Sequence, residues 1–232
     1  MIQRQTYLIA ASVVMLMLLA ASVLFFQRNA YLLLSFVIIA LTMIPFLARF
    51  ELRNISGREV VLLAILAAIA AVSRVPFAAL PSVQPTSFVI IITGLVFGAE
   101  SGFVVGAVAA IVSNFFLGQG PWTPWQMYAW GMMGMMAGLF RNTWWMKHLW
   151  GKLIFGFIWG YIFGWIINGW IVISNIENMT WEFFISIYVG SLYFDLAHAI
   201  SNVFFLLVFS TSWIKIMQRF KRKYGLLEEK GV

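Results

Sequence analysis

The chain has 232 residues, of which 62% are hydrophobic and only 10% charged, with a mean hydropathy of +0.93. That composition excludes an ordinary soluble domain and defines an all-α polytopic membrane protein. The formal charge of +7 does not indicate nucleic acid, because the basic residues lie between apolar runs and at the C-terminus, where membrane topology accounts for them. With no cysteine, disulfides, thiolate metal sites and thiol nucleophiles are excluded.

Residues 7–26 form an uncharged run of 20 residues, which at about 1.5 Å per residue matches the hydrocarbon thickness. The run is longer than a signal-peptide core and no A-x-A site follows it, so it is expected to stay as a helix. A second run, 31–47, returns after the short loop at Gln27, Arg28 and Asn29. The stretch "ARFELRNISGRE", residues 48–59, with three arginines, separates this two-helix extension (1–50) from a second module. From Val60 the apolar segments are 60–73, 87–99, 102–117, 125–140, 152–173 and 182–213, which predicts six further helices, eight in all. Residues 51–214 are read as a six-helix membrane domain and 215–232 as a basic cytoplasmic tail.

Charge sets the expected orientation in the cell membrane. With both termini in the cytoplasm, Arg4, Arg49, Arg53, Arg58, Arg141, Lys147, Lys152, Lys215, Arg219, Lys221, Arg222, Lys223 and Lys230 lie inside, and only Arg28 and Arg74 lie outside. Residues 74–87 and the stretch "GQGPWTPWQ", 118–126, then share the outer face. Neither can cross lipid as a regular helix: the first contains three prolines, the second contains Pro121 and Pro124 beside Gly118 and Gly120. Irregular backbone at membrane depth is tolerated where protein or a water-filled cavity satisfies its polar groups, so these two stretches are expected to wall an outward-facing pocket.

Small residues mark close helix approaches. Gly94, Gly98, Gly102, Gly106 and Ala110 recur every four residues across a turn at Glu100 and Ser101, and Gly131, Gly134 and Gly138, then Gly156, Gly160 and Gly164, make two further ladders. All three are read as small-xxx-small packing. In "LLAILAAIAAVSR" the pairs Ala64/Ala68 and Ala67/Ala71 flatten one side of the helix, either for a neighbour within the chain or for a partner subunit.

An alanine-rich first core helix, irregular outer loops, a G-x-x-x-G-A turn at residues 94–99 and "NFFLGQGPWTPWQMYAWGMMGMMAGL" leading into the fourth core helix together resemble the substrate-binding S component of energy-coupling factor (ECF) transporters, over about residues 55–213. The N-terminal pair of helices lies outside the usual six-helix core. The resemblance implies a binding subunit without catalysis or cofactor. Such a subunit captures a vitamin or similar nutrient from outside, docks on a membrane T component coupled to two cytosolic ATPases, and releases its cargo inward by tilting. It also implies that Ala64, Ala67, Ala68 and Ala71 meet the T component. The sequence has no G-x-x-x-x-G-K-[ST] loop, so ATP hydrolysis must come from another subunit.

The GPWTPWQ loop most resembles S components associated with cobalamin or related corrinoids. Trp122, Trp125, Tyr128 and Trp130 offer broad apolar contact, while Gln84, Asn114, Gln119 and Gln126 can hydrogen-bond the amides of a corrin rim. An aromatic belt at the water interface is the competing reading of Trp122 and Trp125. Asp195, His198 and Asn202 share one face of the last helix, and a charge at bilayer depth needs compensation. Asp195 lies about 30 Å above Lys215, and Arg74 about 24 Å above Arg58, so the two could meet near the outer boundary; an ion pair, a ligand-contacting role for either, and no relation between them are the open readings. An intramembrane enzyme built on Asp195 and His198 lacks the further carboxylate or histidine at depth that such chemistry requires. An assembly protein without ligand is the remaining alternative.

Overall fold

A computed structural model describes residues 56–225 together with the isolated helical residues Val37 and Leu41. The expected N-terminal helices, the link at 48–55 and the last seven residues otherwise lie outside the described residues. The described part is all helical: α1 (Gly57–Ser73), α2 (Pro85–Phe97), α3 (Ala99–Leu117), α4 (Thr123–Phe140), a single turn α5 (Trp144–Lys147), α6 (Leu149–Ser174) and α7 (Trp181–Tyr224), with 3-10 turns at Val75–Phe77 and Ile176–Asn178. Four of these are long and apolar enough to cross a membrane: α1 with its following turn, α3, α6 and α7. The protein is a multi-pass α-helical membrane protein.

Local chemistry sets the boundaries. Ser56 and Glu59 form a capping box at the start of α1: the Ser56 N–H donates to Glu59 Oε2 (2.6 Å) and the Glu59 N–H donates to Ser56 Oγ (3.4 Å). Pro85 and Pro124 stand in the first turns of α2 and α4, where a missing N–H costs nothing. Gly98, at φ 101°, is the only residue between α2 and α3, a conformation that side chains resist.

α2 has 13 residues, about 20 Å of helix, so it is shorter than the hydrocarbon layer. All but one of its residues are buried, since α1, α3, α4 and α7 surround it. A helix hydrophobic on every side is stable only in this central position.

Glycines bring the neighbouring backbones together. A Cβ on Gly94 or Gly102 would overlap the Gly134 carbonyl oxygen, one on Gly106 would overlap the Trp130 carbonyl, and one on Gly138 the backbone of Ala99. Further along, Gly156 faces Leu206 and Asn202, Gly160 faces Ala199, and Gly164 faces the Asp195 carboxylate, so α6 and α7 meet along a second glycine seam. All three ladders therefore serve close packing.

The last helix differs from expectation. The apolar run ends near residue 213, yet α7 runs on to Tyr224, 44 residues and about 66 Å in all, and stops at the left-handed Gly225. Hydropathy marks where hydrocarbon ends, whereas Lys and Arg are good helix formers that carry the helix beyond it. Lys221 Nζ donates to the Val96 carbonyl (3.0 Å), fastening the extension to the end of α2.

If backbone contact is what seats α3 on α4, Gly102→Val should lower stability by about 1–3 kcal/mol or more through overpacking, whereas Gly190→Ala, where a Cβ meets nothing within 4 Å, should be nearly neutral. Thermal unfolding in detergent compares them. Equal melting temperatures for the two variants would overturn the packing argument.

Candidate substrate-binding site

One end of the bundle carries the turns around residues 75–84 and 118–122, and the opposite end carries Arg141, Lys147 and Lys152. The polar residues singled out in the sequence converge toward the first of these, the loop end.

Arg74 caps the C-terminus of α1. Its Nη1 donates to Ser113 Oγ (2.6 Å) and Asn114 Oδ1 (3.0 Å) on α3, and its guanidinium carbon lies 4.8 Å from the centre of the Trp130 ring on α4. A cation over an indole face is attracted by the ring quadrupole, most strongly when shielded from water. Asn114 is only 2% exposed and uses both ends of its amide, since its Nδ2 donates to Gln126 Oε1 (2.7 Å) and Thr123 Oγ1 (3.2 Å).

The same threonine holds the loop. Thr123 Oγ1 donates to Gln119 Oε1 (2.9 Å) and accepts the Gly120 N–H (3.2 Å), and Gln119 Nε2 donates to the Ile111 carbonyl (3.1 Å). Gln119 is exposed and ties residues 118–122 to α3.

A second polar chain runs inward. Trp130 Nε1 donates to Ser87 Oγ (3.0 Å), which sits 2.7 Å from His198 Nε2. An indole N–H only donates, so Ser87 accepts from Trp130, while the direction of the Ser87–His198 bond follows the imidazole tautomer. The Phe163 ring packs against both Trp130 (4.8 Å between centroids) and His198 (4.7 Å, edge-on). Gln84 joins through its backbone N–H, which donates to Ser201 Oγ (3.0 Å).

Asp195 is 3% exposed and lies against Gly164 of α6, with Ser191 Oγ donating to its Oδ2 (2.9 Å). Asn202 Nδ2 donates to the Gly156 carbonyl (2.9 Å). Among the described residues Arg74 and Asp195 form no ion pair, which corrects the pairing expected from their heights. Rise along a helix gives depth but not azimuth, and Arg74 turns toward α3 and α4 whereas Asp195 turns toward α6.

Both loop tryptophans are half-buried on α6. Trp122 packs against Trp170 (6.0 Å) and Trp125 covers Gly169. The alanine face divides: Ala64 and Ala68 are exposed, whereas Ala67 and Ala71 are buried in the bundle. The surface left for a partner is therefore narrower than four alanines.

Sequence reasoning missed Ser87, Ser113, Thr123 and Asn168. Ser113 beside Asn114 at the end of an apolar run, and Asn168 alone within "WIINGWI", were the available signals. Asn168 Nδ2 and Gln84 Oε1 are buried and make no hydrogen bond.

Fold and site define a multi-pass helical membrane protein with a buried polar and aromatic site at one end. Residues 58–216 match the family model of the ECF transporter substrate-specific component, and the chain belongs to that family. That family comprises substrate-specific components of ECF transporters. A UPF0397 protein of Vibrio atlanticus is 33% identical over 92 residues, covering 38% of this chain and 50% of that protein. UPF0397 proteins of Aliivibrio fischeri and Aliivibrio salmonicida are each 32% identical over 92 residues, with the same coverage. The chain thus spans about half the length of these relatives. No solved structure matches it significantly.

Ser87→Ala should strand the Trp130 indole N–H and remove a partner of His198, lowering stability by about 1–3 kcal/mol. The check is thermal unfolding in detergent, with exposed Ser186→Ala as control. An unchanged melting temperature for Ser87→Ala would show that the chain from Trp130 to His198 is not supporting the fold.

Proposed function

We propose that this chain captures a vitamin or related micronutrient at its loop end, which faces outward, and delivers it through a membrane T component driven by two cytosolic ATPase subunits. A corrinoid such as cobalamin is the favoured cargo. The observation that carries the reading is the junction of Arg74 with Ser113, Asn114, Gln126 and Trp130, where five side chains from three helices hold hydrogen-bonding groups and aromatic surface inside an apolar bundle. Family membership supports the subunit role, and the tryptophan-rich loop supports a large, flat, amide-bearing ligand.

The proposed ligand contacts are Arg74, Gln84, Asn114, Gln126, Trp122, Trp125, Asp195 and His198, with Gln119 holding the loop over them. The proposed organisation is an N-terminal extension at 1–50, the binding domain at 51–214 and a basic segment from 215. Both termini lie in the cytoplasm, which places the basic residues beside the ATPase subunits and the anionic leaflet.

Docking uses the exposed side of α1, where Ala64 and Ala68 lie among Val60, Val61, Ile65, Ile69 and Val72. Ala67 and Ala71 support that helix from inside. Ala68→Trp should reduce the yield of the complex with the T component while leaving ligand affinity of the isolated subunit within about twofold. Co-purification with and without the substitution checks this, and an undiminished yield would remove the α1 face from the interface.

Cargo is tested by the visible absorption spectrum of the detergent-purified protein, since a corrinoid absorbs there and the polypeptide does not. Trp122→Ala and Trp125→Ala should each weaken cyanocobalamin binding by about 1–3 kcal/mol, with Pro121→Ala and Pro124→Ala weakening it less. Equilibrium dialysis gives the constants. If affinity is unchanged in both tryptophan variants while stability falls, the rings serve as interface anchors only.

A further inference from the structure

The site holds two opposite charges that the described residues leave without a counter-ion. Both recorded hydrogen bonds of Arg74 leave from Nη1, and both go to neutral acceptors. Its third partner is the Trp130 ring, whose centre lies 4.8 Å from the guanidinium carbon. The Nε and Nη2 edge is thus uncommitted, and that edge is the fork that matches a carboxylate or phosphate. Asp195 has one hydrogen-bond donor, Ser191, whose single proton is shared with the Tyr188 carbonyl.

Pairwise contacts and chain neighbours connect these groups from helix to helix. From Arg74 the connection passes through Asn114 to Gln126 at the start of α4, where neighbouring Trp125 lies on Gly169 of α6. Along α6 it runs by Asn168 to Gly164, against which Asp195 lies. One turn along α7 is His198, and Ser87 and Trp130 lead back to the guanidinium. Orphaned buried polar atoms accompany the charges, among them the donor Asn168 Nδ2 and the acceptors Gln84 Oε1 and Asn202 Oδ1.

We infer that the site selects a ligand carrying both an anionic and a cationic group, the anion on the Arg74 fork and the cation at Asp195, with uncharged hydrogen-bonding groups between them. The inference rests on the nutrient-capture reading above. A buried charge without a partner is costly, and a ligand of one sign compensates one charge while stranding the other. A ligand of both signs relieves both, and that difference is a source of specificity. Cyanocobalamin meets the pattern through its phosphodiester and its cationic cobalt–corrin centre, with carboxamides to engage Asn168 and Gln84.

The test uses the full chain in detergent and five probes in equilibrium dialysis. Cyanocobalamin and thiamine monophosphate carry both signs, thiamine is cationic only, biotin is anionic only and riboflavin is neutral. A probe of both signs should bind at least about tenfold more tightly than any of the others, and Arg74→Gln and Asp195→Asn should each cost roughly tenfold or more of that affinity. A sixth probe, aquacyanocobinamide, which lacks the phosphodiester but keeps the cationic cobalt–corrin centre, isolates the Arg74 arm: if cyanocobalamin is the ligand, cobinamide should bind the parent more weakly by a similar factor, and Arg74→Gln should change its affinity less than twofold. The comparison among probes on the parent needs no variant, so a misfolded substitution leaves the test intact. A single-sign or neutral probe binding most tightly, or equal losses of cyanocobalamin and cobinamide in Arg74→Gln, would overturn the charge inference while nutrient capture stands. Binding of no probe would sink the capture reading and the inference with it.

Discussion

A guanidinium partly withdrawn into an apolar bundle has to be compensated by whatever surrounds it, and the arrangement around Arg74 follows from that requirement. Ser113 and Asn114 supply acceptors from α3 and Trp130 supplies a ring face from α4. The same tryptophan, through its N–H, fixes Ser87 on α2 and so His198 on α7. One charge thereby makes five helices answer to each other at one end of the molecule. Polar networks in a low-dielectric interior are costly when half satisfied, so each member constrains the next.

That network can exist only because the rest of the bundle is packed by shape. Hydrophobicity does little to pair helices inside lipid, where the tails are as apolar as leucine, so close contact must come from small residues. The glycine seams supply it between α2, α3 and α4, and again between α6 and α7. Their rigidity lets a few side chains hold a defined geometry at the loop end. Along α7 the contrast is plain: from Asp195 toward Tyr224 residues recur in the core, while none from Trp181 to Phe194 is buried. The packed part of the helix begins where Asp195 meets the α6 seam.

Much of this was legible in the chain itself. Hydropathy gave the six core helices, the prolines and glycines located the irregular loop end, and the four-residue spacing of glycines identified both seams. Asn114, Gln126 and Arg74 were named from composition and position, and they proved to be bonded to each other. Their partners Ser87, Ser113 and Thr123 were not named, because serine and threonine in a membrane helix commonly bond their own backbone and leave no periodic signal. The alanine face of α1 was legible as small but not as divided, since A-x-x-x-A spacing cannot tell the inward pair from the outward one.

By itself the sequence determined solvent, the six longer helices of the described core, though not the single turn α5, and the end at which polar chemistry gathers, since these depend on local composition and on charge along the chain. Only the tertiary structure decided which polar groups face each other. Height along a helix is additive in residues and can be counted, and on that count Arg74 and Asp195 looked like partners. Azimuth depends on how each helix is rotated by its neighbours, here by Gly164 drawing Asp195 toward α6 and by Ser113, Asn114 and Trp130 drawing Arg74 toward α3 and α4.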